Sequence, residues 1–166
     1  DGYYVMTKDL ESPSTYISNK PTENKGKFIG TFDGRDHSIS NPSFWGYRMF
    51  GELRNAIIKN IVFKNISIFS VLCPEIYDSV IENVQFLTSN RLNENSNLGL
   101  LCDKICGYSK IKDCVIDFGE NFSVFNGTFV TAIAGYNYTE SDCILFENTL
   151  VNCLDSVNLF VGDYYG

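Results

Sequence analysis

The fold is decided by two stretches of the chain, MFGELRNAIIKNIVF at residues 49–63 and LCPEIYDSVIENVQF at residues 72–86. When one stretch is set over the other at an offset of about 23 residues, apolar positions match apolar positions without a gap. Asn60 then falls on Asn83. Self-similarity at such a period is the signature of a repeat architecture.

Two shorter copies of the same unit follow, IKDCVI at residues 111–116 and FENTLV at residues 146–151. The shared pattern is apolar, any residue, Asn or Asp, a mostly apolar position, any residue, apolar. The spacing between units grows from about 23 to about 30 and then about 35 residues. This growth predicts loops inserted between the units, at residues 87–96 and 119–127.

The spacing of apolar residues within a unit predicts strands that are joined at corners. Ile58 and Ile61 are three residues apart, whereas Ile61 and Phe63 are two apart, which is neither a plain strand period nor a helical one. Asn tolerates the left-handed backbone that a corner requires. We therefore expect an all-β fold, a right-handed parallel β-helix (β-solenoid), in which each unit is one rung. Ile58, Ile81 and Ile111 are expected to form one inward column.

An antiparallel β-sandwich is the alternative, because it also contains many short strands. It would need tight hairpin turns between the repeated units. Asp33-Gly34 is the best hairpin signal in the chain, but it precedes the repeats. The sequence thus favours the solenoid and leaves the sandwich open.

We expect residues 1–166 to form a single β-solenoid domain. Residues 1–48 are predicted to be N-terminal rungs or a cap, 49–151 the repeated rungs, and 152–166 an incomplete last rung or a cap. Residues 159–162 resemble the start of another unit without a following strand pair. The chain is therefore expected to be a fragment of a longer protein.

Composition excludes some classes of function. The formal net charge is −7, which argues against a nucleic-acid partner because such proteins need a basic surface. The chain has no apolar run close to the length that crosses a membrane as a helix. It has 44% hydrophobic and 14% aromatic residues, enough to build a core.

Chemistry-bearing residues are few. His37 is the one histidine, and no catalytic residue, metal ligand set or cofactor site is predicted. We expect no enzyme activity in the chain. A small charged cluster and a dense aromatic group are the candidates for binding a glycan or a protein. These candidate ligand-binding residues are Asp33, Arg35, Asp36, Phe44, Trp45 and Tyr47.

The chain contains six cysteines but no C-x-x-C motif, so a zinc ribbon is not expected. Cys73 and Cys102 fall near the position of Phe50 on successive rungs, and Cys114 takes the inward position of Ile61. We expect most of the cysteines to be buried, reduced thiols. Disulfides stay open, since stacked positions about 4.8 Å apart are within the span that a disulfide needs.

Four segments resemble the motifs of GLUG-type repeat proteins. Residues 30–39, GTFDGRDHSI, are similar to the family's G-x-F-D-G-x-G-H-x-I segment, and residues 49–53, MFGEL, resemble its L-F-G-x-[LI] element. Residues 58–65, IKNIVFKN, resemble its I-x-N-L-x-V-x-[ND] strand pair, and residues 4–10 are similar to its Y-x-L-x-x-D-I opener. The chain departs from the pattern at Asp36, where the family usually has Gly.

The resemblance implies a parallel β-helix module of bacterial secreted or cell-surface proteins. It implies a non-catalytic module with adjoining domains in the same polypeptide. Because stacked repeats form a stiff support with variable loops, we expect a structural or adhesive module that displays loops to a glycan or a host surface protein. It also implies an extracellular or cell-surface location. The alternatives are a carbohydrate-active parallel β-helix domain and an accessory module of a surface protease.

Overall fold

The structure is a computed structural model. It describes residues 2–12, 26–42, 48–67, 71–88, 98–119, 130–131, 133–137, 143–152, 157–158 and 161–164. Within these ranges the chain is all-β, with strands and no helix. This confirms the predicted class. It follows from a sequence rich in β-branched and aromatic residues that places Asn and Asp between short apolar runs.

The strands are short except for three that run through bends. Their bounds are β1 Gly2–Val5, β2 Leu10–Glu11, β3 Lys27–Ser40, β4 Glu52–Ile66, β5 Cys73–Tyr77, β6 Val80–Thr88, β7 Leu98–Gly99, β8 Cys102–Cys106, β9 Tyr108–Lys112, β10 Val115–Asp117, β11 Val130–Thr131, β12 Ala134–Asn137, β13 Cys143–Glu147, β14 Leu150–Asn152, β15 Val157–Asn158 and β16 Val161–Tyr164.

Every pair among the described strands is parallel. One sheet contains 13 strands, and β7, β11 and β15 form a second sheet of 3 strands. The antiparallel sandwich is therefore not the arrangement of these strands. The Asp33-Gly34 hairpin signal is not used either, since β3 continues through it.

The pairs of the large sheet fall into three columns, which we name by their strands. The first column contains the start of β3, the start of β4, β5, β8, β12 and β16. The second contains β1, the middle of β3 and β4, the start of β6, β9 and β13. The third contains β2, the ends of β3, β4 and β6, β10 and β14. The chain visits the three columns in the same order each time, and we call one such passage a tier.

The predicted register is confirmed in the strands that the repeat covers. Ile58 pairs with Ile81, and Ile81 pairs with Ile111. The fourth copy follows, because Ile111 pairs with Phe146 and Ile116 with Val151. Separations of 23, 30 and 35 residues between equivalent positions match the predicted spacings.

The core lies between the columns and is filled by the inward residues of each strand. Ile58, Ile81 and Ile111 are fully buried, as predicted. In the third column the rings of Phe63 and Phe86 stack at 5.3 Å between centroids and 6° between planes. Identical residue types thus pack against each other from tier to tier, which suits in-register parallel strands.

Asn and Asp occupy the bends between columns, as the sequence predicts. Asn60, Asn83, Asp113 and Asn148 mark the bend between the second and third columns, and each has a φ between 46° and 55°. Asn65 marks the end of the third column with a φ of 53°. Few L-residues adopt this left-handed conformation cheaply, and Asn and Asp are among them. These side chains therefore fix where each strand turns.

Candidate functional site

The charged candidates lie on one bend, the turn of β3 between the second and third columns. Residues 34–36 lie opposite the single residue Asn60, so this bend contains two residues more than the bend in the next tier. Arg35 and Asp36 are exposed and left-handed, with φ of 50° and 62°. The structure thus places Arg35 and Asp36 on the surface of the bend.

Gly34 is the residue that lets this wider bend approach its neighbour. A Cβ at this position would lie 2.3 Å from the carbonyl oxygen of Asn60 and 2.3 Å from Cγ1 of Ile61. No side chain fits at such a distance from backbone. Close packing against the next tier therefore explains Gly34, the second glycine of the motif at residues 30–39.

Asp33 is only 7% exposed, and its carboxylate is fully engaged. It accepts hydrogen bonds from the Tyr3 hydroxyl at 2.6 Å, the Arg35 amide at 2.9 Å and the Asn60 side-chain amide at 3.0 Å. The Lys59 ammonium lies 3.6 Å from its Oδ2. Asp33 thereby ties the first three tiers together.

These contacts decide the protonation state of Asp33. Burial alone would raise the pKa of the carboxyl. The hydrogen bonds from Tyr3, Asn60 and the Arg35 amide, with the charge of Lys59, outweigh burial and lower the pKa to about 2. Asp33 is therefore ionised at neutral pH and holds no proton to donate as a general acid.

His37 lies on the same turn, and its side chain contacts Asp9 in the first tier. Its Nδ1 lies 3.1 Å from Oδ1 of Asp9, and the same oxygen accepts a hydrogen bond from the Ser38 amide at 2.8 Å. The amide hydrogen bond and the His37 contact lower the pKa of Asp9. The contact gives His37 a structural use at this bend.

A ladder of hydrogen bonds between Asn and Asp side chains links neighbouring tiers at this bend. Asn83 donates to Asn60 Oδ1 at 2.8 Å, and Asn148 donates to Asp113 Oδ1 at 3.0 Å. Such hydrogen bonds between equivalent residues of neighbouring tiers require the tiers to stay in register. The ladder is the structural reason for the Asn and Asp of the repeated unit.

A second polar ladder, which the sequence analysis missed, is buried at the bend between the first and second columns. The Ser79 hydroxyl donates to the Tyr77 carbonyl at 2.7 Å and accepts from the Ala56 amide at 3.1 Å. One tier on, the Ser109 hydroxyl donates to the Cys106 carbonyl at 2.7 Å and accepts from the Ser79 amide at 3.3 Å. The available signal was the recurrence of Ser at equivalent positions of two units, 30 residues apart.

The outer face of the second column carries alternating charges. Lys59 lies 3.6 Å from Asp33, and the Lys112 ammonium lies 3.1 Å from Glu82. Because each of these lysines forms an ion pair with a carboxylate of the neighbouring tier, the face carries little net charge. The hydrogen bonds to Glu82 and then Asp113 raise the pKa of Lys112.

Apolar side chains share that outer face. Tyr3, Ile57 and Leu145 are exposed and occupy one register line of the second column. Tyr108 lies on the same face and is 78% exposed. Of these exposed side chains, Tyr3 contacts the charged candidates of β3, because its hydroxyl donates to Asp33 at 2.6 Å.

The aromatic candidates Phe44, Trp45 and Tyr47 lie outside the described residues.

Among the described residues, no group of three His, Cys, Asp or Glu side chains is placed to hold a metal ion. The part of the chain that the structure describes also contains no helix long and apolar enough to cross a membrane.

Four cysteines, Cys73, Cys102, Cys106 and Cys114, are described with their side chains, and all four are free and buried. This agrees with the prediction of buried, reduced thiols for these four cysteines. Burial raises the pKa of Cys114 to about 11. Its thiol donates to the backbone carbonyl of Lys112 at 3.2 Å, which is how a buried thiol satisfies its weak donor.

Comparison with protein-family models, with curated proteins and with solved structures finds no match to this chain.

Proposed function

We propose that the chain winds as a right-handed parallel β-solenoid. The support is the fixed order in which it visits three parallel columns and the in-register stacking of Ile58, Ile81 and Ile111. Parallel strands joined by crossovers are almost always right-handed, which gives the hand. Left-handed Asn and Asp at equivalent bends supply the corners of such a coil.

We further propose that this coil is a non-catalytic structural or adhesive module of a large secreted or cell-surface protein. It would display loops that bind a glycan or a host protein. The GLUG-type resemblance motivates the setting, and adjoining domains of the same polypeptide would complete the protein. Stacked tiers give a stiff support with variable loops, which suits ligand display.

The observation that carries this proposal is that the tiers differ in the length of their connections and not in their strands. The connections from the third column back to the first differ greatly in length, whereas the strands they join keep their register. The shortest connection is 67–72 and the longest is 118–133. These connections leave from and return to the same two columns. Measured between the described strands of the three columns, they comprise residues 12–26, 41–51, 67–72, 89–101, 118–133 and 153–160, and β7, β11 and β15 lie within the last three.

The candidate aromatics fit this picture by position. Phe44, Trp45 and Tyr47 belong to the connection 41–51, which joins the third column of one tier to the first column of the next. Aromatic rings are a usual means of stacking on sugars or packing against a protein. Trp45 is therefore the side chain we expect to contribute most to binding.

The alternatives have less support. A carbohydrate-active β-helix would need a carboxyl group with a raised pKa beside a second carboxylate. Asp33, the buried carboxylate of the candidate cluster, has its pKa lowered and its oxygens occupied. An accessory module of a surface protease would use the same loops, and its catalytic residues would lie in another domain.

A glycan and glycoprotein array tests the proposal. The purified chain should bind a limited set of probes. Two variants should lose that binding while keeping the circular dichroism spectrum and Tm: Trp45→Ala, and a chain with residues 89–97 shuffled in order. Gln85→Ala, an exposed change on β6 away from the connections, is the matched control and should bind normally.

Two results would contradict a display module. One is an array on which the folded chain binds no probe. The other is a probe whose binding survives both loop variants, since the binding surface would then lie on a column face instead.

A further inference from the structure

Two of the buried cysteines occupy paired positions on neighbouring tiers. The Cys73 thiol donates to the Glu75 carbonyl at 3.3 Å, and the Cys102 thiol donates to the Ile133 carbonyl at 3.8 Å. Cys73 of β5 pairs directly with Cys102 of β8 in parallel register. Both side chains are fully buried, and both thiols are free. Directly paired residues of adjacent strands have Cα atoms about 4.8 Å apart, inside the range of about 4.4–6.8 Å that disulfides span.

The register makes this pair unique among the described cysteines. The residue that pairs with Cys102 on its other side is Ala134, and Cys106 pairs with Tyr77. Cys114 lies near the third column, where its thiol contacts the carbonyls of Ile81 and Lys112. Within the described part of the chain, only Cys73 and Cys102 meet another cysteine in register.

The surroundings of the pair restrain its reactivity without preventing the bond. Burial raises the pKa of both thiols well above the ordinary value, and the nearby Cys73 raises that of Cys102 further. A thiolate is the attacking species, so the folded, reduced pair reacts slowly. A disulfide is uncharged and carries no such penalty in an apolar site.

We propose that Cys73 and Cys102 are a disulfide-forming site that staples two neighbouring tiers when the chain folds in the presence of a small-molecule disulfide. One thiolate attacks glutathione disulfide and releases one glutathione. The second thiolate then displaces the other glutathione and forms the Sγ–Sγ bond. Two protein thiols are oxidised, one glutathione disulfide is reduced to two glutathione thiols, and the two protons pass to them.

The staple has a defined mechanical consequence. Cys73 directly follows the connection 67–72, and Cys102 directly follows the connection 89–101. A bond between them fixes the two points at which these connections return to the first column. This holds whether or not the connections bind a ligand.

Refolding in a redox buffer tests the site with the wild-type chain alone. The protein is unfolded in urea with reductant, transferred to a glutathione and glutathione disulfide buffer at pH 8, and either refolded or kept in urea. Free thiols are then blocked, and disulfide-linked peptides are measured by mass spectrometry. We expect the Cys73–Cys102 peptide to be at least about tenfold more abundant after refolding than in urea, because the folded register raises the effective concentration of one thiol at the other.

Two variants sharpen the result. Cys114→Ala should retain the linked peptide, whereas Cys102→Ala should lose it without another described cysteine taking its place. An equal abundance of the Cys73–Cys102 peptide in refolded and urea-unfolded chains would overturn the proposal. Refolded chains in which Cys73 and Cys102 carry only glutathione, or are bonded to other cysteines, would overturn it as well.

Discussion

Single residues at the bends do two jobs in this chain. Asn60 adopts a left-handed backbone and also links two tiers, since its side chain donates to Asp33 and accepts from Asn83. Glycine would match the backbone conformation but would lose both hydrogen bonds. Asn and Asp both tolerate this backbone and both offer a side-chain oxygen to the next tier, which explains why the repeated unit uses them at this position.

Asp33 is the residue whose contribution to stability should depend most clearly on pH. Its pKa is about 2 in the folded chain and near the ordinary value of 3.8 when unfolded. A lowered folded pKa stabilises the fold above the unfolded pKa, and this stabilisation is lost as the pH falls from about 4 to about 2. We expect Asp33→Asn to reduce the free energy of unfolding by about 2 kcal/mol at pH 7, and by much less at pH 2.

Urea unfolding at several pH values measures this effect. Asp36→Asn is the matched control, because Asp36 is exposed on the same bend and should change stability by less than about 0.5 kcal/mol. A difference between wild type and Asp33→Asn that stays constant from pH 7 to pH 2 would contradict the assigned hydrogen bonds and ion pair.

At the scale of strands, β4 and β6 show what the sequence could predict. Their inward positions repeat with the same residue types, so the alignment of residues 49–63 with 72–86 gave the register, including Phe63 on Phe86. An in-register parallel stack buries like residues on like residues, which makes the register visible as self-similarity.

Other features of the strands could not be predicted from residue patterns. The extra residues Arg35 and Asp36 in one bend, and the buried hydroxyls of Ser79 and Ser109, look in sequence like ordinary polar turn residues. Polar residues at a bend satisfy backbone groups whether they are buried or exposed, so their type does not reveal their burial. The aromatic candidates around Trp45 stay a prediction, since they lie outside the described residues.

An inward residue of β6 tests the element directly. Ile81 is fully buried between Ile58 and Ile111, so Ile81→Asp places a charge without a partner in the core and should unfold the chain. Gln85→Asp puts the same side chain on the outer face of the same strand and should change Tm by only a few degrees.

Circular dichroism melting curves of the two variants show which face of β6 is buried and which is exposed. An Ile81→Asp variant that melts at the wild-type temperature would show that Ile81 does not point inward. A Gln85→Asp variant that unfolds would show that the outer face is covered.

At the scale of the whole molecule, three parallel columns keep their register while the connections between tiers change length. This separation of a constant support from variable segments is what the proposed display function needs. The charges on the outer face of the second column are paired between tiers, as Lys112 is with Glu82, so the support itself offers little net charge to a partner. Binding is therefore expected on the connections.

Nuclear Overhauser effects between isoleucine methyl groups test the stacked coil most directly. The chain would be labelled at the Ile δ1 methyls and assigned through single Ile→Val variants. We predict cross peaks from Ile81 to both Ile58 and Ile111, and none between Ile58 and Ile111, which are two tiers and therefore about 10 Å apart. An Ile81 methyl without a cross peak to either neighbour, or Hα–Hα contacts typical of antiparallel strands between β4 and β6, would contradict the stacked parallel coil.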